Sequence, residues 1–201
     1  MRLFVRILKI IKGRYSKLSY AIYWLRFATT DAPLLRKCEF GEGTILQVPL
    51  RSCGKGTLSV GKWNCFGYGQ APRLGSGEIM LQPRGNDAVI RIGNGNFFSN
   101  NVSIISNGMV SIGDNCRIGD LVQVIDCDFH EINPATRNLS DGDIKPVSIG
   151  NNVWLGSRVM ILKGVTIGDN SVVAASSVVT RSIPPNTLAA GMPARAIGSL
   201  G

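Results

Sequence analysis

From residue 149 onward an aliphatic side chain recurs at every sixth position: Ile149, Leu155, Ile161, Ile167, Val173 and Val179. That spacing fits neither the 3.6-residue period of an amphipathic helix nor the alternation of a half-buried strand. The residue after most of them is small (Gly150, Gly156, Gly168, Ala174), and four positions on come Val153, Val159, Val165, Ser171, Ser177 and Ile183. Two inward positions per six describe a flat-sided coil. Each unit then supplies one short strand and one corner, and three units close a triangular rung that buries its interior only when others stack on it. Rungs spaced like strands, about 4.8 Å apart, satisfy one another's backbone groups. The expected fold is all-β, a parallel β-helix, and the general rule for parallel crossovers favours a right-handed one.

The same register runs back through Ile92, Phe98 and Ile104 and, after a two-residue slip, through Ile112, Ile118 and Val124, with Gly93, Gly113 and Gly119 following three of them. Val60-Gly61 and Phe40-Gly41 read as further repeat starts, but Cys38 to Ala88 is rich in Gly and Pro and has no readable phase. The 24 glycines in 201 residues lack the every-third-residue period of collagen, so they point to many tight corners rather than a fibre.

Charge is concentrated at the start. Residues 1–37 hold nine Lys and Arg against one acid, Asp31, so +8 of the total +9 sits there. The nearly neutral remainder excludes a nucleic-acid binder with a basic stripe across its body. Within this segment Phe4, Ile7, Leu8 and Ile11 recur at helical spacing, opposite Arg2, Arg6 and Lys9. A second amphipathic stretch, Leu18 to Phe27, carries Tyr20, Tyr23 and Trp24, residue types that favour a boundary between water and apolar material, and Pro33 ends the unit. Two readings stay open: a helix packed on the body or on a neighbouring subunit, and peripheral attachment to an anionic membrane surface. Arg6 and Lys9 break the first apolar run, so neither a secretory segment nor a membrane span is expected. The five cysteines (Cys38, Cys53, Cys65, Cys116, Cys127) include no C-x-x-C, which suggests neither a disulfide framework nor a four-ligand zinc site and fits a cytoplasmic protein. The expected organisation is a basic helical segment at 1–37, a β-helix at 38–187 with an inserted loop at 126–146, and a tail at 188–201.

The stretch VSIGNNVWLGSRVMILKGVTIGDNSVVAASSVVTRSIPPNTLAAGMPARAI, residues 147–197, resembles the hexapeptide-repeat acyltransferases, in the branch of maltose, galactoside and polysaccharide O-acetyltransferases. The match extends back to Ile92. It implies a left-handed coil, against the right-handed default, together with homotrimers and acetyl-CoA as acyl donor. A zinc lyase of the γ-carbonic anhydrase type, built on the same fold, needs several histidine ligands; a single histidine excludes it, and no metal is expected.

That histidine, His130, lies where the hexads break, in the run IDCDFHEINPATRNLSDGDIKP. Excursions this long are often functional. Acetyl transfer to a hydroxyl needs a base to take the proton as the oxygen attacks, and a neutral imidazole, with a free pKa of about 6.5, suits that task near neutrality. The resemblance implies this role for His130, followed by Pro134 and Arg137 as in the family. Asp126, Asp128 and Glu131 flank it, and Asp128 is taken as the carboxylate that orients the ring. Cys127 is the weaker candidate, a nucleophile with no feature that would lower a thiol pKa.

The resemblance also implies that Trp154, Ser157, Ala175, Thr180, Arg181 and Arg195 contact acetyl-CoA. Amides around Ala175 would hold the thioester arm, and Arg181, Arg195 and Lys163 would meet the phosphates. Ala175 and Thr180 are also expected to fill the coil. On the acceptor side it points to Ser99, Asn100 and Arg137; Ser99 aligns where the sugar-acetylating relatives carry asparagine, and Gly198 replaces their last basic residue. The implied function is O-acetylation of a carbohydrate hydroxyl in surface or capsular polysaccharide assembly, on an acceptor such as a lipid-linked glycan. The alternatives are N-acylation of a nucleotide-linked amino sugar and a noncatalytic β-helix scaffold.

Overall fold

The six aliphatic residues of the sixfold series are all buried, as are Val153, Val159, Val165, Ser171, Ser177 and Ile183. A computed structural model describes residues 18–72 and 75–201; the helical reading of residues 2–17 lies outside them. Six coils follow one another. The first is β1 (Lys37–Phe40), β2 (Ile45–Leu46) and β3 (Leu50–Arg51), and the second β4 (Thr57–Val60), β5 (Cys65–Phe66) and β6 (Ile79–Pro83). The third is β7 (Val89–Ile92), β8 (Phe97–Phe98) and β9 (Ser103–Ser106), and the fourth β10 (Met109–Ile112), β11 (Arg117–Ile118) and β12 (Gln123–Ile125). The fifth is β13 (Val147–Ile149), β14 (Trp154–Leu155) and β15 (Met160–Ile161), and the sixth β16 (Thr166–Ile167), β17 (Val172–Val173) and β18 (Val178–Val179). Every third strand pairs in parallel, giving three sheets. The coil is left-handed.

Corners explain the small residues and the asparagines. At Gly113 an added Cβ would stand 2.8 Å from the Gly150 carbonyl carbon of the next rung, too close for any side chain. One corner column takes left-handed backbone at Asn115, Asn152, Asn170 and Asn186, a conformation asparagine tolerates better than most. The last three are laddered: Asn152 Nδ2 donates to Asn170 Oδ1 at 3.0 Å, and Asn170 Nδ2 to Asn186 Oδ1 at 2.9 Å.

The two-residue slip between Ile104 and Ile112 is a widened corner at 106–108. Asp126, fully buried, closes it by accepting from Ser106 Oγ at 2.7 Å and from the N–H groups of Asn107 at 2.8 Å and Gly108 at 2.9 Å. The segment without readable phase is coiled as well: Phe40 pairs with Val60 and Val60 with Ile92 in register. It is interrupted after β5 by a second excursion, 67–78, which Asn100 pins by accepting from the Tyr68 N–H at 2.7 Å and donating to the Ser76 carbonyl at 3.1 Å.

The amino-terminal end of the prism is filled by aromatic rings. Phe66 stacks on Phe98 at 4.7 Å, while Phe40 is met edge-on by Trp24 at 4.9 Å and Phe27 at 5.5 Å. Residues 18–26 are helical, a π-helical turn follows at Phe27–Asp31, and Pro33 lies in a 3-10 turn before Leu35 turns extended. Tyr23 and Trp24 therefore pack against the core rather than marking a water boundary. The opposite helix face leaves Leu18, Ile22 and Leu25 exposed by 59%, 52% and 65%. At the other end, residues 188–201 are not a free tail. There β19 (Thr187–Gly191) extends the second sheet beside β17, and β20 (Ala194–Ser199) folds back on it antiparallel.

Candidate active site

The loop carrying His130 leaves the corner between β12 and β13, where the chain passes from the third sheet to the first. Its neck is a short antiparallel contact: Cys127 bridges to Ile144, and the Lys145 N–H donates to the Asp126 carbonyl at 2.9 Å. Phe129 takes left-handed backbone, φ 66°, with the Arg84 guanidinium 4.7 Å above its ring centre, a cation–π contact. His130 is exposed and lines an open cavity of about 380 Å³ with Phe129, Asn138, Leu139, Ser140 and Asp141. Its ring makes no hydrogen bond among the described residues, so it can meet an incoming group.

The carboxylates beside it are spoken for. Asp126 closes the widened corner, and Glu131 accepts from Ser140 Oγ at 2.5 Å. Asp128 accepts from Lys163 Nζ rather than bonding to His130, so the ring-orienting role expected for it is not made in this chain. Burial pushes the Cys127 thiol up from its ordinary value, which disfavours the thiolate a nucleophile needs.

A second feature runs along the corner between the second and third sheets. Gly119, Trp154, Gly156, Ser157, Ala175 and Leu188 are among the residues lining a largely apolar groove of about 500 Å³. Gly156 permits it: an added Cβ would stand 2.5 Å from the Ala175 nitrogen. Trp154 presents its ring there with 58% exposure, and Ser157 and Ala175 are exposed at the corner. Separately, at the carboxy-terminal end, Arg181 and Arg195 share a smaller cavity of about 150 Å³.

Residues 146–181 match the family described as bacterial transferase hexapeptide (six repeats), and residues 109–120 match the hexapeptide repeat of succinyl-transferase. These two segments therefore carry hexapeptide repeats. It is 47% identical over 103 residues to the galactoside O-acetyltransferase of Escherichia coli (strain K12), a match covering 51% of this chain and 50% of that protein. It thus spans about half the length of that curated relative. A solved galactoside acetyltransferase in complex with coenzyme A superposes with a TM-score of 0.60 at 28% identity, covering 94% of this chain and 82% of that one. A hexapeptide-repeat acetyltransferase from Vibrio cholerae O1 biovar eltor, complexed with acetyl coenzyme A, gives 0.53 at 41% identity, covering 56% and 61%.

Within this hexapeptide-repeat chain the residues expected at acetyl-CoA fall into two places. Trp154, Ser157 and Ala175 share the apolar groove, and Arg181 and Arg195 share the terminal cavity. Thr180 lies next to Arg181, and both Thr180 and Ala175 are exposed rather than filling the coil. Lys163 is bound to Asp128 and Asp143. On the acceptor side Ser99 is half-buried, whereas Asn100 is fully buried and its amide is used to hold the 67–78 excursion. Arg137 folds its guanidinium onto the Ile132 carbonyl at 3.3 Å. Among the described residues no group of three or more His, Cys, Asp or Glu could hold a metal ion.

Sequence reasoning missed Arg84, Asn100 as a loop anchor, and the Lys163 contacts. Arg84 and Phe129 lie 45 positions apart in the chain, and no local pattern joins them.

Proposed function

We propose that the chain transfers an acetyl group from acetyl-CoA to a carbohydrate hydroxyl, with His130 as general base. The observation that carries this reading is the apolar groove of about 500 Å³ holding Trp154, Ser157 and Ala175. An acyl-pantetheine arm is long and mostly apolar and suits a corner groove, and the guanidiniums of Arg181 and Arg195, in their own cavity, offer charge for its phosphates. The likeness to proteins solved with coenzyme A and acetyl coenzyme A supports the same ligand.

In the reaction the unprotonated imidazole of His130 takes the proton of the acceptor hydroxyl as its oxygen attacks the thioester carbonyl. A tetrahedral oxyanion forms, collapses to the acetyl ester and expels the CoA thiolate, which recovers the proton from the imidazolium. Within one chain the groove and the histidine loop occupy different corners of the prism, since one follows the second sheet and the other the third. The reading therefore includes a homotrimer in which the loop of one copy faces the groove of the next. Ser99, beside the groove's corner column, and Arg137, on the loop, remain the acceptor-side candidates.

The acceptor we favour is a lipid-linked glycan in surface polysaccharide assembly, acetylated on the cytoplasmic face of the membrane with no nucleic acid involved. The exposed Leu18, Ile22 and Leu25 face and the +8 charge of residues 1–37 support peripheral attachment to anionic lipid. Among the described residues no helix is long and apolar enough to cross a membrane. Incubation with radiolabelled acetyl-CoA and matched hydroxy and amino sugars tests the chemistry. Label on the hydroxy sugar supports it, and label confined to the amino sugar, or none at all, refutes it.

A further inference from the structure

Lys163 follows β15 at the same prism corner from which the histidine loop departs, one rung along the axis. The two rungs are joined there, since the Gly164 N–H donates to the Lys145 carbonyl at 3.1 Å. The Lys163 ammonium is bound to the Asp128 carboxylate on the outgoing limb of the loop and to Asp143 Oδ2 on the returning limb, the latter at 3.0 Å. Lys145 Nζ adds a contact to the same Asp143 oxygen at 2.7 Å. An isolated exposed ion pair contributes little, but this is a network of four charges. Its central ammonium and the Asp128 carboxylate are only 21% and 29% exposed, so solvent screens it less than a surface pair.

The geometry joins both limbs to a rigid corner and leaves residues 129–142 between them. His130 stands two positions beyond Asp128, after the left-handed turn at Phe129. We infer that Lys163 is a positioning residue for His130: by tying Asp128 and Asp143 to the coil it fixes where the imidazole stands. The inference rests on the proposed role of His130 as base. It gives Asp128 a task other than holding the ring, and it takes Lys163 away from the cofactor phosphates, where resemblance alone would put it. The contacts also move the groups' proton affinities in the matching direction: hydrogen bonds donated to Asp128 and Asp143 raise the Lys163 pKa above its ordinary 10.5, and those accepted from Lys145 and Lys163 lower that of Asp143 below 3.8. Lys163 and Asp143 are thus both charged at neutral pH.

Lys163→Met, Asp128→Asn and the charge-exchanged pair Lys163→Asp with Asp128→Lys test it on the full-length chain. Turnover, acetyl-CoA affinity by calorimetry and amide hydrogen exchange over 128–143 are measured for each. The expected result is a fall in kcat of about ten- to a hundredfold in both single variants, the scale set by small misplacements of a reacting group. Acetyl-CoA affinity stays unchanged, exchange over the loop quickens, and the exchanged pair recovers part of kcat. Unchanged kcat and exchange in Lys163→Met would overturn the inference. So would acetyl-CoA affinity falling in step with kcat, which would return Lys163 to the phosphates. Should the unaltered protein transfer no acetyl group, the functional reading fails on its own, while the exchange comparison still decides whether Lys163 holds the loop.

Discussion

Gly142 lies against the backbone of His130 so closely that a Cβ at this position would overlap the His130 carbonyl oxygen and come within 2.9 Å of its carbonyl carbon. The contact joins the far limb of the loop to the proposed general base. Gly142 also holds φ at 70°, where a side chain adds about 1–2 kcal/mol of strain. Gly142→Ala should therefore shift His130 while leaving the groove intact. Steady-state kinetics should show kcat reduced by about a hundredfold with the acetyl-CoA KM unchanged; an equal change in both would place the damage elsewhere.

Asp31 anchors the amino-terminal cap to the first coil. Its buried carboxylate accepts from the Ser52 N–H at 2.9 Å, Thr30 Oγ1 at 2.7 Å and Arg51 Nε at 3.3 Å. Burial pushes its pKa up, but these hydrogen bonds outweigh burial and leave it below the ordinary 3.8. A lowered folded-state pKa means the carboxylate's stabilisation is fully present above 3.8 and is lost as pH falls through the folded value. Asp31→Asn should cost about 1–3 kcal/mol at neutral pH, with the gap to the unaltered protein closing in acid. Urea midpoints across a pH series check this, and a gap independent of pH would contradict it.

Leu18, Ile22 and Leu25 form an apolar stripe facing away from the body, whereas Tyr23 and Trp24 on the other face are packed against it. Replacing all three with serine should leave the thermal midpoint unchanged, because none is buried. Sedimentation with vesicles containing anionic lipid should drop to the level seen with neutral vesicles. Equal sedimentation by both forms would refute membrane docking. A loss of oligomer mass in the triple variant would also refute it and assign the stripe to a second copy.

The body of the fold was legible because its constraint is periodic and local. Ile149 and its successors each had to be aliphatic every sixth residue, and all are buried. The slip at Ile104 was visible, but its cause was not: the residue that closes that corner, Asp126, lies 20 positions beyond Ser106. The same limit applies to Asn100, which pins a loop 24 to 32 positions upstream, and to Lys163, whose partner Asp128 is 35 positions away. A polar side chain finds its partner across rungs, and sixfold spacing carries no trace of which one. Cys38 to Ala88 resisted phasing for a related reason. The 67–78 excursion breaks the count between β5 and β6, so Val60 and Ile92 fall in register without a constant interval.

The most direct test of the account is free thiol release from acetyl-CoA in the presence of an accepted sugar, compared between the unaltered protein and His130→Ala, with acetyl-CoA affinity measured on both. The account predicts that His130→Ala binds acetyl-CoA as tightly as before and releases thiol at least about a hundredfold more slowly, the typical contribution of a general base. Turnover retained in His130→Ala, or no acetyl-CoA binding by the unaltered protein, would contradict it.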